Sequence, residues 1–276
     1  MRKTLLHAAC FVLVVCCFIC GPVQASGALE MGVVNPWLSK MVAFIGGIHL
    51  ESRPLTWWND AGQEKLTGKI PAEGCVLAID EKSARRYMNG RVDGSRLRFL
   101  FRNAPQAICG SDAMFLDPAA LPFLAIRVMT EISSCDPSHY DYYQRRLAEF
   151  QGRLDSTVMV GRQMIGAIEI LDLSWVSGAW IQAASGYVVQ PPPETRLAWL
   201  QGRDMESLDT ALAEAAARDW LVVVDVWTPE AVRSRAPRNV TVVDLPRIAP
   251  EEDFFLYLYD LYLTIWETAR VSGAGS

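Results

Sequence analysis

Histidine is scarce in this 276-residue chain: there are three, at His7, His49 and His139. Nucleophilic triads place an imidazole beside the nucleophile, and neither His49 nor His139 has such a partner in the sequence. Gly-rich phosphate loops and the paired-histidine helix motif of metalloproteases are missing too. Nothing therefore favours catalysis, and the chain is expected not to be an enzyme. Basic residues are outnumbered, 26 against 31 acidic, and form no stripe, which argues against a nucleic-acid partner. Beyond the first thirty residues no apolar run reaches the ~20 residues that a spanning helix requires.

The start of the chain is different. Arg2 and Lys3 precede an apolar run from Leu5 to Cys20, and Val23-Gln24-Ala25 fits a small-x-small cleavage pattern. This predicts a Sec signal peptide over residues 1–25 and an exported, periplasmic protein. An uncleaved anchor and a lipoprotein are the alternatives. For the second, Cys16, Cys17 and Cys20 lie in the right zone but follow Val, Cys and Ile instead of Gly or Ala. Loss of Arg2 and Lys3 takes the formal charge from −5 to −7. Of the seven cysteines, Cys75, Cys109 and Cys135 remain, and an oxidising compartment predicts one disulfide and one free thiol. The remaining length, about 250 residues, suits one large domain or two ordinary lobes.

Within that length the elements alternate. Residues 75–80 (CVLAID), 220–227 (WLVVVDVW) and 240–245 (VTVVDL) form apolar, β-branched runs without clean alternation, as strands do when both faces are covered. Residues 205–219 (MESLDTALAEAAARD) form a helical pattern feeding straight into a strand, which implies α/β units with parallel sheets. Asp117-Pro118 reads as a helix start, and Leu121, Leu124, Val128 and Ile132 then mark one apolar face. Asp136-Pro137 repeats that signal. Tyr140, Tyr143, Leu147, Phe150 and Leu154 predict a second helix ending near Asp155, roughly 28 Å long and able to join two lobes as a strut. Residues 252–269 carry two adjacent apolar stripes, a wide face expected to be buried.

The series "FLDP", helix, "DP", "YDYYQRRLAEFQGRLD" resembles the zinc- and manganese-type solute-binding proteins of ABC importers. The likeness runs from about Val34 to Ala269 and takes in "IGG" at 45–47, "LVVVD" and "VTVVDLP". It implies an α/β fold: two lobes with mainly parallel sheets joined by one long rigid helix, divided here as residues 26–135, 136–158 and 159–276. It also implies a metal or small solute in the inter-lobe cleft, Zn or Mn in the usual case, an ABC permease with its ATPase as partners, and a monomer. The alternative is a periplasmic scaffold or interaction protein that has lost metal binding.

The family's ligands are three imidazoles and a carboxylate, a set suited to Zn²⁺ and Mn²⁺. Here the first histidine position corresponds to Ala113, beside Met114, and the later one to Trp175. The short "TWWND" loop, with Trp57 and Trp58, stands where the family carries Asp-Pro-His. Asp244 keeps the late carboxylate, and Asp225 matches a family Glu by class. Asp225 and Asp244 are thus the candidate metal ligands, with bonding to nearby backbone amides as their structural alternative. Trp57, Trp58, Ala113, Met114 and Trp175 are the candidate cleft residues, and the tryptophans either stack on a ligand or fill and seal the cleft. Neither His49 nor His139 matches a ligand position, and the family's His-rich loop is absent. Cys75 at a strand start and Cys135 at the end of an antiparallel helix fall at the same end of a lobe, so a bridge between them is expected, with Cys109 at the opposite end near the cleft.

Overall fold

A computed structural model describes residues 28–88, 90–102 and 112–273. The expected signal peptide and Cys109 lie outside the described residues. Strand β1 (Leu29–Val33) leads into α1 (Pro36–Gly46). Asn35 caps α1 by accepting from the Leu38 amide at 3.1 Å, and Pro36 sits where no intrahelical amide bond is required. β2 (Leu50–Pro54) follows, then an antiparallel hairpin of β3 (Thr56–Trp58) and β4 (Glu64–Leu66). After β5 (Cys75–Ala78) come α2 (Glu81–Met88) and β6 (Leu97–Phe99). The first sheet has the order β2-β1-β5-β6 and is parallel throughout.

Helix α3 (Leu121–Cys135) starts three residues later than the Asp117-Pro118 signal predicts. The Asp117 side chain caps a separate turn, accepting from the Ala119 amide at 2.9 Å, while its carbonyl takes the amides of Ala120 and Leu121. Pro122 then occupies the first turn of α3, where a missing N–H costs nothing. At its far end Cys135 is bridged to Cys75 at the start of β5, as their common end of the lobe predicts.

The strut is α4 (Tyr140–Ile165), 26 residues and about 39 Å long. It runs well past the predicted end near Asp155. The second lobe comprises β7 (Glu169–Asp172), α5 (Gly178–Ala184), β8 (Tyr187–Val189), α6 (Pro193–Leu200), α7 (Met205–Ala217), β9 (Leu221–Asp225), α8 (Glu230–Arg233) and β10 (Val242–Leu245). Its sheet is also all parallel, in the order β10-β9-β7-β8. The last helix, α9 (Phe254–Ser272), is capped by Asp253 and lies along α4.

That contact explains the longer strut. Gly161 weakens an isolated helix by about 1 kcal/mol relative to alanine. In the fold, a Cβ at position 161 would lie 2.3 Å from the Tyr262 ring. Glycine is what lets α4 and α9 approach, and tertiary packing overrides local propensity. Tyr262 then stacks on Trp180 at 5.0 Å and donates to the Trp180 carbonyl at 2.9 Å.

One apolar core passes through both lobes, between the facing sides of the sheets and helices α1, α3, α4 and α9. Each sheet has a second, smaller cluster on its outer side, around Leu208 and Leu212 in one lobe and Ala84 and Met88 in the other. Both faces of both sheets are therefore covered at their centres, which is why the inner strands β5 (CVLA) and β9 (LVVVD) are continuous apolar runs. Among the described residues no helix is long and apolar enough to cross a membrane.

Candidate functional site

The carboxyl ends of the two sheets open onto one crevice of about 730 Å³ between the lobes. Asn35 follows β1, Asp80 follows β5, Trp175 and Val176 follow β7, and Trp227 follows β9; all five line the space. Open parallel sheets bind ligands at these strand ends.

The first-lobe wall is a hydrogen-bonded polar network. Asn35 sits at φ 102, a strained conformation outside glycine. Its backbone amide donates to Thr56 Oγ1 at 2.8 Å, and its side-chain amide donates to Asp112 Oδ1 at 3.0 Å. Thr56 in turn donates to Glu64 Oε1 at 2.5 Å. Burial pushes the Asp112 carboxyl above the usual carboxylate range, with the Asn35 bond opposing. The Trp58 indole N–H also pulls Asp112 down, yet it makes no hydrogen bond of ordinary geometry. Burial raises Glu64 as well, against the Thr56 bond, and the Asp112 charge adds to the rise. Burial and the adjoining Glu64 push the Tyr87 phenol up to about 12. Asp80 accepts from the Ser83 amide at 2.7 Å, fixing the start of α2, which carries Lys82 and Arg86 along the rim.

The second-lobe wall is aromatic and cationic. Trp175 is 36% exposed, with the Arg196 guanidinium 5.3 Å from its ring centroid. Arg196 also donates to the Ser174 carbonyl. Trp227 donates from its indole to the Gly62 carbonyl at 3.1 Å, tying this wall to the β3–β4 hairpin. Behind the crevice, Trp37, Trp58, Trp227 and Tyr257 form a ring cluster with centroids 5.0–6.0 Å apart. Aromatic contacts at these separations each add about 0.5–1.5 kcal/mol beyond area burial. Lys40 crosses the same seam to the carbonyls of Pro250 and Glu252 at 2.5 and 2.6 Å.

The residues singled out from sequence separate into two groups. Ala113 and Trp175 line the crevice. Trp57, Trp58, Met114, Asp225 and Asp244 do not. Trp58, 4% exposed, belongs to the ring cluster, and Trp57 packs at its edge under Lys40. Asp225 is 1% exposed. Its Oδ2 accepts from the Val176 amide at 2.8 Å and from the amide and hydroxyl of Ser177, and its Oδ1 accepts from the Trp227 amide and Thr228 hydroxyl. That carboxylate ties the Trp175 loop to the Trp227 loop. Asp244 is paired with Arg233 in a two-pronged contact at the surface. Sequence reading missed Asn35, Asp80 and Trp227, which the strand-end rule would have found. It also missed Glu64 and Asp112, which arrive from a hairpin and a short turn and carry no local signal.

His49 and His139 stand apart from the crevice, stacked face to face at 3.8 Å, with Asp136 2.7 Å from His139 Nδ1. Burial pushes Asp136 up, but bonds from Ser138, Tyr143 and His139 outweigh it and hold the carboxyl below its usual range. Among the described residues, no three His, Cys, Asp or Glu side chains come together as a metal-binding set.

No family model matches the chain, and no curated protein matches its sequence. Solved structures do. ZnuA superposes with a TM-score of 0.62 at 12% identity, over 90% of this chain and 100% of that one. The solute-binding protein FpvC from Pseudomonas aeruginosa, in complex with Mn²⁺, gives 0.56 at 13%, over 90% and 98%. The laminin-binding protein Lbp of Streptococcus pyogenes gives 0.60 at 12%, over 88% and 99%. The architecture is that of the metal-type solute-binding proteins of ABC importers: two parallel α/β lobes on a long helical strut.

Proposed function

We propose that this protein is the solute-binding component of an ABC importer, a binding protein and not an enzyme, that captures its cargo in the inter-lobe crevice. The cargo class is a metal ion, a metal-containing solute or another small solute, with zinc or manganese the cargo of the family it resembles. Its partners are a permease and an ATPase, and it acts in the periplasm after removal of residues 1–25. One observation carries the reading: a crevice of about 730 Å³ at the carboxyl ends of both sheets, walled by side chains from both lobes. The neighbours support it, since one structure of ZnuA holds zinc, FpvC holds Mn²⁺ and YtgA from Chlamydia trachomatis holds Fe(III). A 39 Å strut packed along its length restrains the lobes to small relative tilts, a receptor that opens little.

A second reading is favoured by a specific observation, the absence of a three-residue metal-ligand set among the described residues. In that reading the chain is a periplasmic scaffold or interaction protein that no longer binds metal. Trp175 and Trp227 line the crevice, so tryptophan emission reports its occupancy. Chelator-stripped protein is titrated with Zn²⁺, Mn²⁺ and small-molecule extracts of the periplasm. Saturable emission changes, lost on substituting crevice residues, are the expected result. A flat response to every addition favours the scaffold.

A further inference from the structure

We propose, resting on the receptor reading above, that the crevice takes an organic carboxylate of the hydroxy- or amino-acid type, free or holding a chelated metal, in place of a bare metal cation. Three observations point this way. Size is the first. A bare divalent cation is held by ligands about 2.0–2.2 Å away, whereas a space of about 730 Å³ falls within the roughly 300–1,000 Å³ range of small-molecule sites.

The second is how the charged groups on each wall are held. The three carboxylates lining the crevice have donors of their own: Thr56 for Glu64, Asn35 for Asp112 and the Ser83 amide for Asp80. The three cations lining it, Lys82, Arg86 and Arg196, form no ion pair among the described residues. Arg86 lies over the Tyr87 ring at 5.3 Å, and Arg196 over Trp175 at the same distance. Asp172 lies behind Arg196, but its carboxylate is taken by the Ser174 amide at 2.9 Å and Gln190 at 2.7 Å. On the second-lobe wall the Arg196 charge is left without a carboxylate free to pair with it, whereas Arg86 acts on Glu64 within the first-lobe wall and opposes the burial-driven rise of its carboxyl. Guanidinium groups recognise carboxylates through paired N–H bonds.

The third is the asymmetry of the walls. All the lining carboxylates belong to the first lobe, and the second lobe presents Trp175, Trp227 and Arg196. A bare cation bound to Glu64 and Asp112 would face a guanidinium across the gap. A hydroxy- or amino-carboxylate fits both walls. Its carboxylate meets Arg196 and the α2 rim, its apolar stem lies on Trp175 and Trp227, and its O–H or N–H groups donate to the spare lone pairs of Glu64 and Asp112.

Calorimetry and tryptophan emission on the chelator-stripped secreted chain test this. The probes are citrate and aspartate alone, the same acids with equimolar Fe(III) or Zn²⁺, and bare Zn²⁺ and Mn²⁺. The expected result is saturable binding of at least one carboxylate, weakened about 10- to 100-fold by Arg196→Ala and less by Arg196→Lys, with thermal unfolding of the variants unchanged. Tighter binding with Fe(III) or Zn²⁺ present identifies the chelate as cargo, and equal binding identifies the free acid. Bare Zn²⁺ or Mn²⁺ binding that depends on Asp112 but not on Arg196 would overturn the carboxylate proposal while leaving the receptor reading intact. Silence towards every probe would overturn both.

Discussion

The junction between the lobes has two halves of opposite character. One is a seam of packed rings, Trp37, Trp58, Trp227 and Tyr257, with Trp37 fully buried. The other is the crevice, where Asp112, Glu64, Arg86 and Arg196 face open space. Trp58 and Trp175 come from similar expectations, since each stands near a position where the receptors that the sequence resembles are expected to carry a metal-binding histidine. The fold sends one into the seam and leaves the other on the crevice wall. An aromatic side chain is therefore no guide to a binding surface until its neighbours are known. The acids teach the same lesson. Asp225 spends both oxygens on five donors within the second lobe, whereas Asp112 is bonded by the Asn35 amide and keeps acceptor capacity towards the crevice.

Four substitutions sharpen or break this contrast. Trp37→Ala removes the centre of the seam and is expected to lower stability by about 3–5 kcal/mol, read from denaturant midpoints at unchanged slope. A loss below about 1 kcal/mol would show that the seam does not clamp the lobes. Asp225→Ala leaves the buried amides of Val176 and Ser177 without their acceptor, at a cost of about 3 kcal/mol. It should also broaden and red-shift tryptophan emission as the Trp175 loop loosens. An unaltered spectrum would separate Asp225 from the crevice wall.

Asp112→Asn should act in the opposite direction. Burial raises the Asp112 carboxyl, so the folded chain holds its proton more tightly than the unfolded chain does. The stability linked to that proton is fully present below the unfolded pKa and is lost as pH rises through the folded one. The variant carries no charge, so at neutral pH it should melt a few degrees higher than the parent. The gap should close as pH falls into the carboxylate range; a gap that widens on acidification would contradict the assignment. Asp244→Ala should matter least. Its contact with Arg233 is solvent-exposed, which limits the loss to about 1 kcal/mol or less, and solute binding by the crevice should be unchanged.

The alternation of apolar strands with helical patterns, the two Asp-Pro signals and the stripe from Tyr140 to Leu154 were enough to specify parallel sheets, a strut and covered strand faces. Those features are local: each is set by periodicity and capping within about twenty residues. The Cys75–Cys135 bridge was legible for a related reason, because strand and helix direction alone place the two thiols at one end of a lobe. The length of the strut was not, since the apolar stripe that marks it ends at Leu154 while the helix continues to Ile165, where Gly161 packs under Tyr262 of α9. Glu64 and Asp112 were equally out of reach. They meet through Asn35 and Thr56, residues 77 and 8 positions away from the carboxylates they contact. Periodicity, capping and chain direction are written residue by residue, and they determined the architecture. Which acids are consumed by backbone donors, and which face open space beside Arg86 and Arg196, depends on distances between segments far apart in the chain, and only the tertiary structure decided it.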